Sequence, residues 1–184
     1  MFQETDIKKF KVIERIDQLS GGLGLLGAWL LVPLIIATCY EVVARYGFGA
    51  PTIWAYEIGY SLTGAHFLLG IAFALRNKKH IRVDVFSMQF KETTRAKVDL
   101  AAYCALLPLL IWLSWMLGEH FWKAWLSSEG SGQSAFNAPV WPMRLVVLLA
   151  FVMFALQVLA ELLRRWMYLR HPDVELNAGK AAQG

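Results

Sequence analysis

The sequence predicts an all-α integral membrane protein with four transmembrane helices. Of its 184 residues, 57% are hydrophobic and only 17% are charged, whereas a soluble domain has about half apolar and about a quarter charged residues. Four apolar runs each come close to or exceed the roughly 20 residues that a helix needs to cross the hydrocarbon core of a bilayer. The basic residues are concentrated in every second segment between these runs, as in multi-pass membrane proteins.

The four apolar runs are the predicted spans, and they cover residues 19–40, 54–75, 100–118 and 142–163. With their loops they form one membrane domain over residues 19–166. Each span must be helical, because in lipid only a helix pairs all its own backbone polar groups. The first and third spans contain no charge, the second contains Glu57 near its start, and the fourth has Arg144 and Glu161 near its ends. No loop is long enough for a catalytic domain, so we predict that the chain is not an enzyme.

Two polar tails, residues 1–18 and 167–184, flank the membrane domain. From the first tail into the first span, residues 7–19 place most apolar side chains on one arc and most charged side chains on the other at 100° per residue, although Lys9 and Asp17 fall on the wrong arc. The segment therefore predicts an amphipathic helix lying in the membrane interface, where its basic residues attract anionic lipid. The alternative is a simple extension of the first span.

The lysines and arginines predict the orientation of the chain. Fifteen of the 18 lie on the side of the two termini and the middle loop, and only Arg45, Lys123 and Arg144 lie on the side of the other two loops. The positive-inside rule therefore places both termini in the cytoplasm. The net charge of +4 is distributed by membrane side and not as a patch, so we expect no nucleic-acid partner.

Strongly polar side chains are scarce near the middle of the spans, where only His66 and Gln157 occur. A stand-alone transporter would place its binding site at this depth, so their scarcity argues against one. His66 could ligate haem, but no other histidine lies at a similar depth, and we expect it to form a hydrogen bond between helices. The sequence therefore predicts no cofactor, no metal and no catalytic residue.

Two sets of charged residues lie at the ends of the second span. Arg45 lies in the same predicted outer loop that leads to Glu57. Glu57 is therefore expected to form an ion pair with Arg45 or to contact a partner chain, and the alternative is solvation at the membrane interface. Arg76, His80 and Asp84 are four residues apart and would share one face if the helix continued past the span. In the first span, small residues four apart predict a close helix contact.

The stretch from Arg45 to Asp84 resembles a known family. It reads R-Y-G-F-G-A-P-T-I-W-A-Y-E-I and then G-I-A-F-A-L-R-N-K-K-H-I-R-V-D-V. It is similar to the small membrane subunit, the DctQ-like component, of tripartite ATP-independent periplasmic (TRAP) transporters. The spacings W-x-x-E and R-x-x-x-H-I-x-V-D carry this resemblance, and A-P-V-W, which ends at Trp141, is a weaker match. Arg144 departs from the family, which often has tyrosine shortly after that tryptophan.

The resemblance implies a multi-pass subunit of the bacterial inner membrane that braces a large DctM-like transport subunit and helps to dock a periplasmic substrate-binding protein. It implies uptake of an organic acid such as a C4-dicarboxylate, driven by an ion gradient, usually of sodium. The motif residues would then have structural or interface roles. They are Arg45, Tyr46, Trp54, Glu57, Arg76, His80, Asp84 and Trp141.

Two other functions remain as alternatives. One is a small cytochrome-like redox subunit, which His66 and the many aromatic residues would favour. The other is an independent small exporter, which the size of the chain and Glu57 would favour. The scarcity of polar side chains at membrane depth favours a scaffold over either of them.

Overall fold

The structure is a computed structural model that describes residues 4–76 and 92–170. Within these residues it contains five helices and no strand, apart from one isolated β-bridge. The helices are α1 Glu4–Trp29, α2 Leu31–Gly47, α3 Ala55–Arg76, α4 Glu92–Ser127 and α5 Trp141–Arg170.

By length and composition, four segments of the described chain could cross a membrane, and they are Lys11–Gly47, Ala55–Arg76, Lys97–Ser127 and Trp141–Met167. The predicted all-α membrane fold with four spans is therefore confirmed. We call the end of the molecule that carries residues 48–54 and 128–140 the loop end. The opposite end, where α1 begins and α5 finishes, is the termini end.

The helices run further than the apolar spans that predicted them. α2 continues to Gly47, and α4 is 36 residues long. The added turns carry ion pairs four residues apart, between Glu41 and Arg45 and between Glu119 and Lys123. Pairs at this spacing support a helix in polar surroundings, so a helix can continue where an apolar run has ended.

A break at Leu30 separates α1 from α2 within the first span. Pro33 explains it, because a proline nitrogen cannot donate to the carbonyl of Trp29 one turn earlier. The amide of Leu30 lies 3.2 Å from the carbonyl oxygen of Gly27. His66 Nδ1 on α3 lies 2.9 Å from that same oxygen and must be the donor, because a carbonyl can only accept. The hydrogen bond between helices predicted for His66 is confirmed.

The N-terminal segment continues into the first span as one helix, which is the second of the two alternatives considered for residues 7–19. Ile13 and Ile16 are buried, and they pack against Ala160 of α5. Part of the apolar arc thus covers another helix instead of facing lipid. An amphipathic pattern does not specify which apolar surface its face will meet, and the interfacial position of this segment stays a prediction.

α3 contacts α1, α2 and α5, and α5 contacts α1, α3 and α4, so these two helices connect the fold, whereas α4 packs mainly on α5. A cluster of buried Leu75, Leu110 and Val158 joins α3, α4 and α5. Large apolar side chains remain exposed along α4, among them Trp112 and Trp115. In a membrane protein such a surface faces lipid or another subunit instead of water. Its exposure therefore does not have the free-energy cost of apolar surface in water.

Glycines bring α1 and α3 close together. A Cβ atom at Gly24 would lie 2.6 Å from Cγ of Phe73, and one at Gly27 would lie 3.2 Å from Cβ of Leu69. A Cβ atom at Gly21 would collide with the Arg76 guanidinium. The close contact predicted for small residues in the first span is therefore present, but glycines three residues apart form most of it.

We predict that Gly24→Ala destabilises the fold and that Gly22→Ala does not. The methyl group at position 24 overlaps the inner part of the Phe73 side chain, and overpacking of this kind costs about 1–3 kcal/mol. At Gly22 no atom lies within 4 Å of the added carbon, and alanine is the better helix former. Thermal unfolding of the purified chain in detergent should show a lower midpoint for Gly24→Ala alone. Equal midpoints for the two variants would contradict the close packing.

Candidate functional site

The buried carboxylate of the loop end belongs to Glu57, in the first turn of α3. Its carboxylate is completely buried. Oε2 accepts hydrogen bonds from the Ser131 hydroxyl at 2.7 Å and from the Ala138 amide at 2.8 Å. Oε1 accepts one from the Ser134 hydroxyl. A buried carboxylate is stable only when hydrogen bonds replace its lost hydration, and here every identified donor comes from one loop.

That loop, residues 128–140, is a narrow hairpin between α4 and α5, and we call it the loop-end hairpin. A bridge joins Gly130 to Pro139, and the Ser131 amide donates to the Ala138 carbonyl at 2.8 Å. Asn137 has a left-handed backbone with φ of 48°, which asparagine tolerates better than most residues. The hairpin therefore has a defined conformation that encloses the Glu57 carboxylate.

A second carboxylate, Glu41 near the end of α2, holds the other loop of the same end. Its Oε2 accepts the Thr52 amide at 2.9 Å and also the Thr52 hydroxyl. Its Oε1 accepts from Arg45 Nε at 2.8 Å. The Ser134 hydroxyl lies 3.1 Å from the Ile53 carbonyl oxygen, which connects the loop-end hairpin to residues 48–54. The two carboxylates thus fix two loops that contact each other.

The ion pair expected between Arg45 and Glu57 is wrong. Arg45 pairs with Glu41, one turn away on the same helix, and Glu57 is enclosed by the loop-end hairpin. The apolar run ends at residue 40, so hydropathy alone places Glu41 in a loop. The E-x-x-x-R spacing was the signal that could have shown the helical pair.

The aromatic motif residues of the loop end have different environments. Trp54 stacks on Tyr40 with ring centroids 5.7 Å apart, and Trp141 packs edge-on against Trp125 at 4.8 Å. Tyr46 is 82% exposed, so in the isolated chain it contributes no packing. Trp54 therefore holds the 48–54 loop against α2 and Trp141 joins α5 to α4, whereas Tyr46 is available to lipid or to another protein.

Arg144 joins three elements near the start of α5. Its NH2 lies 2.9 Å from a Glu129 carboxylate oxygen, and its NH1 donates to the His120 carbonyl of α4 at 3.2 Å. This arginine, which departs from the pattern of the family resemblance, therefore connects α4, the loop-end hairpin and α5.

At the termini end, Arg76 is the last residue of α3, and its guanidinium lies against Gly21 of α1. His80 and Asp84 lie outside the described residues. A polar cluster that the motifs do not include lies at the same end and consists of Asp17, Gln157, Glu161 and Arg164. The signals were Asp17 on the wrong arc of residues 7–19 and two polar residues inside the fourth span.

This termini-end cluster links α1 to α5. Gln157 Nε2 donates to Asp17 Oδ1 at 3.0 Å, and the Arg164 guanidinium bonds both Asp17 and Glu161. Gln157 and Glu161 are buried. One arginine thus balances part of the negative charge of two carboxylates, which would otherwise be costly to remove from water.

The arrangement is suited to holding helices and loops in place. Glu41 and Glu57 use both carboxylate oxygens in contacts within the chain. In the described part of the chain, no group of three His, Cys, Asp or Glu side chains could hold a metal ion. His66 and Gln157, the strongly polar residues near the middle of the spans, each bond to α1.

Comparison with known families gives a match, which covers the part of the chain that contains most of these residues. The model of the DctQ component of tripartite ATP-independent periplasmic transporters matches residues 34–167, which is more than half of the chain. The matched range includes Glu41, Glu57 and the loop-end hairpin. No curated protein matches the chain.

We predict that Glu57→Ala loosens the loop-end hairpin and that Glu57→Gln does so much less. Alanine removes all three acceptor contacts, at a cost on the order of 3 kcal/mol. Glutamine can still accept from Ser131 and Ala138 and donate to Ser134, whose own hydroxyl can then donate to Ile53. Hydrogen–deuterium exchange of peptides covering residues 128–140 should accelerate strongly in Glu57→Ala. Unchanged exchange in that variant would show that the carboxylate does not hold the hairpin.

A further prediction concerns the termini-end cluster. Arg164→Leu removes the cation that faces Asp17 and Glu161 and should destabilise the chain. The cost should be smaller than the about 3–5 kcal/mol of a fully buried pair, because Arg164 and Asp17 remain partly exposed. Adding Asp17→Asn to Arg164→Leu should restore part of the lost thermal midpoint, because it removes one unpaired charge. A double variant less stable than Arg164→Leu would refute this account.

Proposed function

We infer the role of this chain from one premise, that it belongs to the DctQ component family of tripartite ATP-independent periplasmic (TRAP) transporters. It is therefore the small membrane subunit of such a transporter. We propose that its task within the complex is that of a scaffold, which braces the large transport subunit and carries no substrate itself.

The commitment of the polar side chains to contacts within the chain supports a scaffold. A subunit that moves a solute needs polar groups that face a pathway near the membrane midplane. The two strongly polar side chains near the middle of the spans, His66 and Gln157, instead bond to α1. The carboxylates at both ends hold loops and helices together.

We further propose that both termini are cytoplasmic and that the loop end faces the periplasm of a bacterial inner membrane. The distribution of lysine and arginine supports this orientation. The loop-end hairpin would then meet the periplasmic substrate-binding protein. A loop whose shape is fixed before binding loses less conformational entropy when a partner docks, and the contacts of Glu57 fix this loop.

The remaining partner is a large DctM-like membrane subunit, which would contain the substrate and ion sites. Uptake would be driven by an ion gradient, in our proposal a sodium gradient, since the sequence contains no phosphate-binding loop that would indicate use of ATP. The substrate would be an organic acid such as a C4-dicarboxylate, selected by the other two components.

The test is uptake by proteoliposomes that contain the large subunit with and without this chain, supplied with the binding protein, labelled C4-dicarboxylates and a sodium gradient. We expect uptake only when this chain is present. Glu57→Ala should lower uptake at least ten-fold, whereas Glu57→Gln should retain most of it, because the hairpin keeps its anchor.

Full uptake by the large subunit and binding protein alone would refute the scaffold role. Transport by this chain alone would favour the exporter, and a haem band in its reduced-minus-oxidised spectrum would favour the redox subunit. Uptake that needs this chain but no sodium gradient would overturn the proposed coupling ion only.

A further inference from the structure

We propose that the outward face of α1 is a binding site for one anionic phospholipid of the cytoplasmic leaflet. This face carries a groove of about 500 Å³. Its described lining residues all belong to α1, and they are Arg15, Gln18, Leu19, Gly22, Leu23 and Leu26. The proposal relies on the cytoplasmic orientation of the N-terminus and is independent of the scaffold role.

The groove lies on the side of α1 that faces away from the other described helices. Gly21, Gly24 and Gly27 face α3, and Ile13 and Ile16 face α5. At 100° per residue, the groove residues are centred on the opposite side of the helix. No atom lies within 4 Å of a Cβ placed at Gly22, so the absent side chain forms a notch in the floor of the groove.

The length of the groove matches one lipid leaflet. Arg15 and Leu26 are eleven residues apart, which is about 17 Å along a helix. Half the hydrocarbon core of a bilayer is about 15 Å thick. With Arg15 at the headgroup level, Leu26 lies close to the midplane, one turn before the break at Leu30. The groove therefore has the reach of one acyl chain.

The polarity of the groove also matches a phospholipid. Arg15 and Gln18 lie at the termini end, and Leu19, Leu23 and Leu26 follow toward the middle of the span. Lys11, one turn before Arg15, falls on the same face by its spacing and is exposed. A phosphate can accept from Arg15 and Gln18 while the acyl chain covers the leucines.

The charges of this face select the lipid over other occupants. Within the described residues, no ion pair includes Lys11 or Arg15. An apolar helix of a partner subunit would cover the leucines but leave these cations without a counter-charge. A free phosphate would neutralise the cations but leave the apolar part of the groove empty. An anionic phospholipid supplies both parts in one molecule, and basic residues near the cytoplasmic surface favour it.

The test is native mass spectrometry of the full chain, purified with its membrane partner and supplied with equal amounts of phosphatidylglycerol and phosphatidylcholine. We expect one retained phosphatidylglycerol. Arg15→Gln should weaken its retention about five-fold, as expected for the loss of one surface charge, and Arg15→Lys should preserve most of it. Gly22→Leu should abolish it by filling the notch. Gly59→Leu is the matched control, because it also adds a leucine where no atom lies within 4 Å.

Retention of the lipid by Gly22→Leu, or equal retention of the two lipids, would overturn the proposal. Competition by soluble glycerophosphoglycerol would do so too, because it would show that the headgroup alone is recognised. If Gly22→Leu fails to assemble, a photoreactive benzoylphenylalanine in place of Leu26 provides a second measurement in intact cells. A lipid adduct supports the site, whereas an adduct to the large subunit shows that a protein covers this face. Loss of lipid binding with normal uptake would leave the scaffold role standing.

Discussion

The fold of the loop end depends on the burial of one carboxylate, that of Glu57. A charge removed from water is stable only when hydrogen-bond donors surround it, and the identified donors are Ser131, Ser134 and the Ala138 amide. The contact joins α3 to a loop more than 70 residues later in the chain. The contact therefore holds the start of α3 against the connection between α4 and α5. It also gives the loop-end hairpin one defined conformation.

The polar contacts are concentrated at the two ends of the molecule, with mostly apolar helix surfaces between them. Glu41 and Glu57 hold the loop end, and Asp17 and Arg164 hold the termini end. Lipid offers no hydrogen bonds, so charged side chains in the middle of the spans would be costly unless a function required them. A chain whose two ends are fixed in this way resists deformation, which is the property expected of a scaffold.

The helices also leave much of their surface free for contact with other molecules. α4 packs mainly on α5, and α1 uses one side for α3 and α5 while its other side carries the groove. Between apolar helices in lipid the hydrophobic effect gives little driving force, so close packing and polar contacts decide which faces meet. Accordingly, the α1–α3 contact depends on glycines of α1 and on the hydrogen bond of His66, and the α1–α5 contact includes Asp17 with Gln157 and Arg164.

The sequence by itself determined the class of the protein, the four spans and the family, because hydropathy and local motifs depend on residues close together in the chain. It also identified Glu57 and His66 as polar groups that must find partners. Only the tertiary structure decided which partners these are. Glu57 bonds to the loop-end hairpin and not to Arg45, since α2 continues far enough for Glu41 to take the arginine. Asp17, which merely disturbs an amphipathic pattern in the sequence, meets Gln157 and Arg164 across a helix interface. Burial and pairing between distant segments depend on how helices pack, and helical periodicity does not encode which faces will meet.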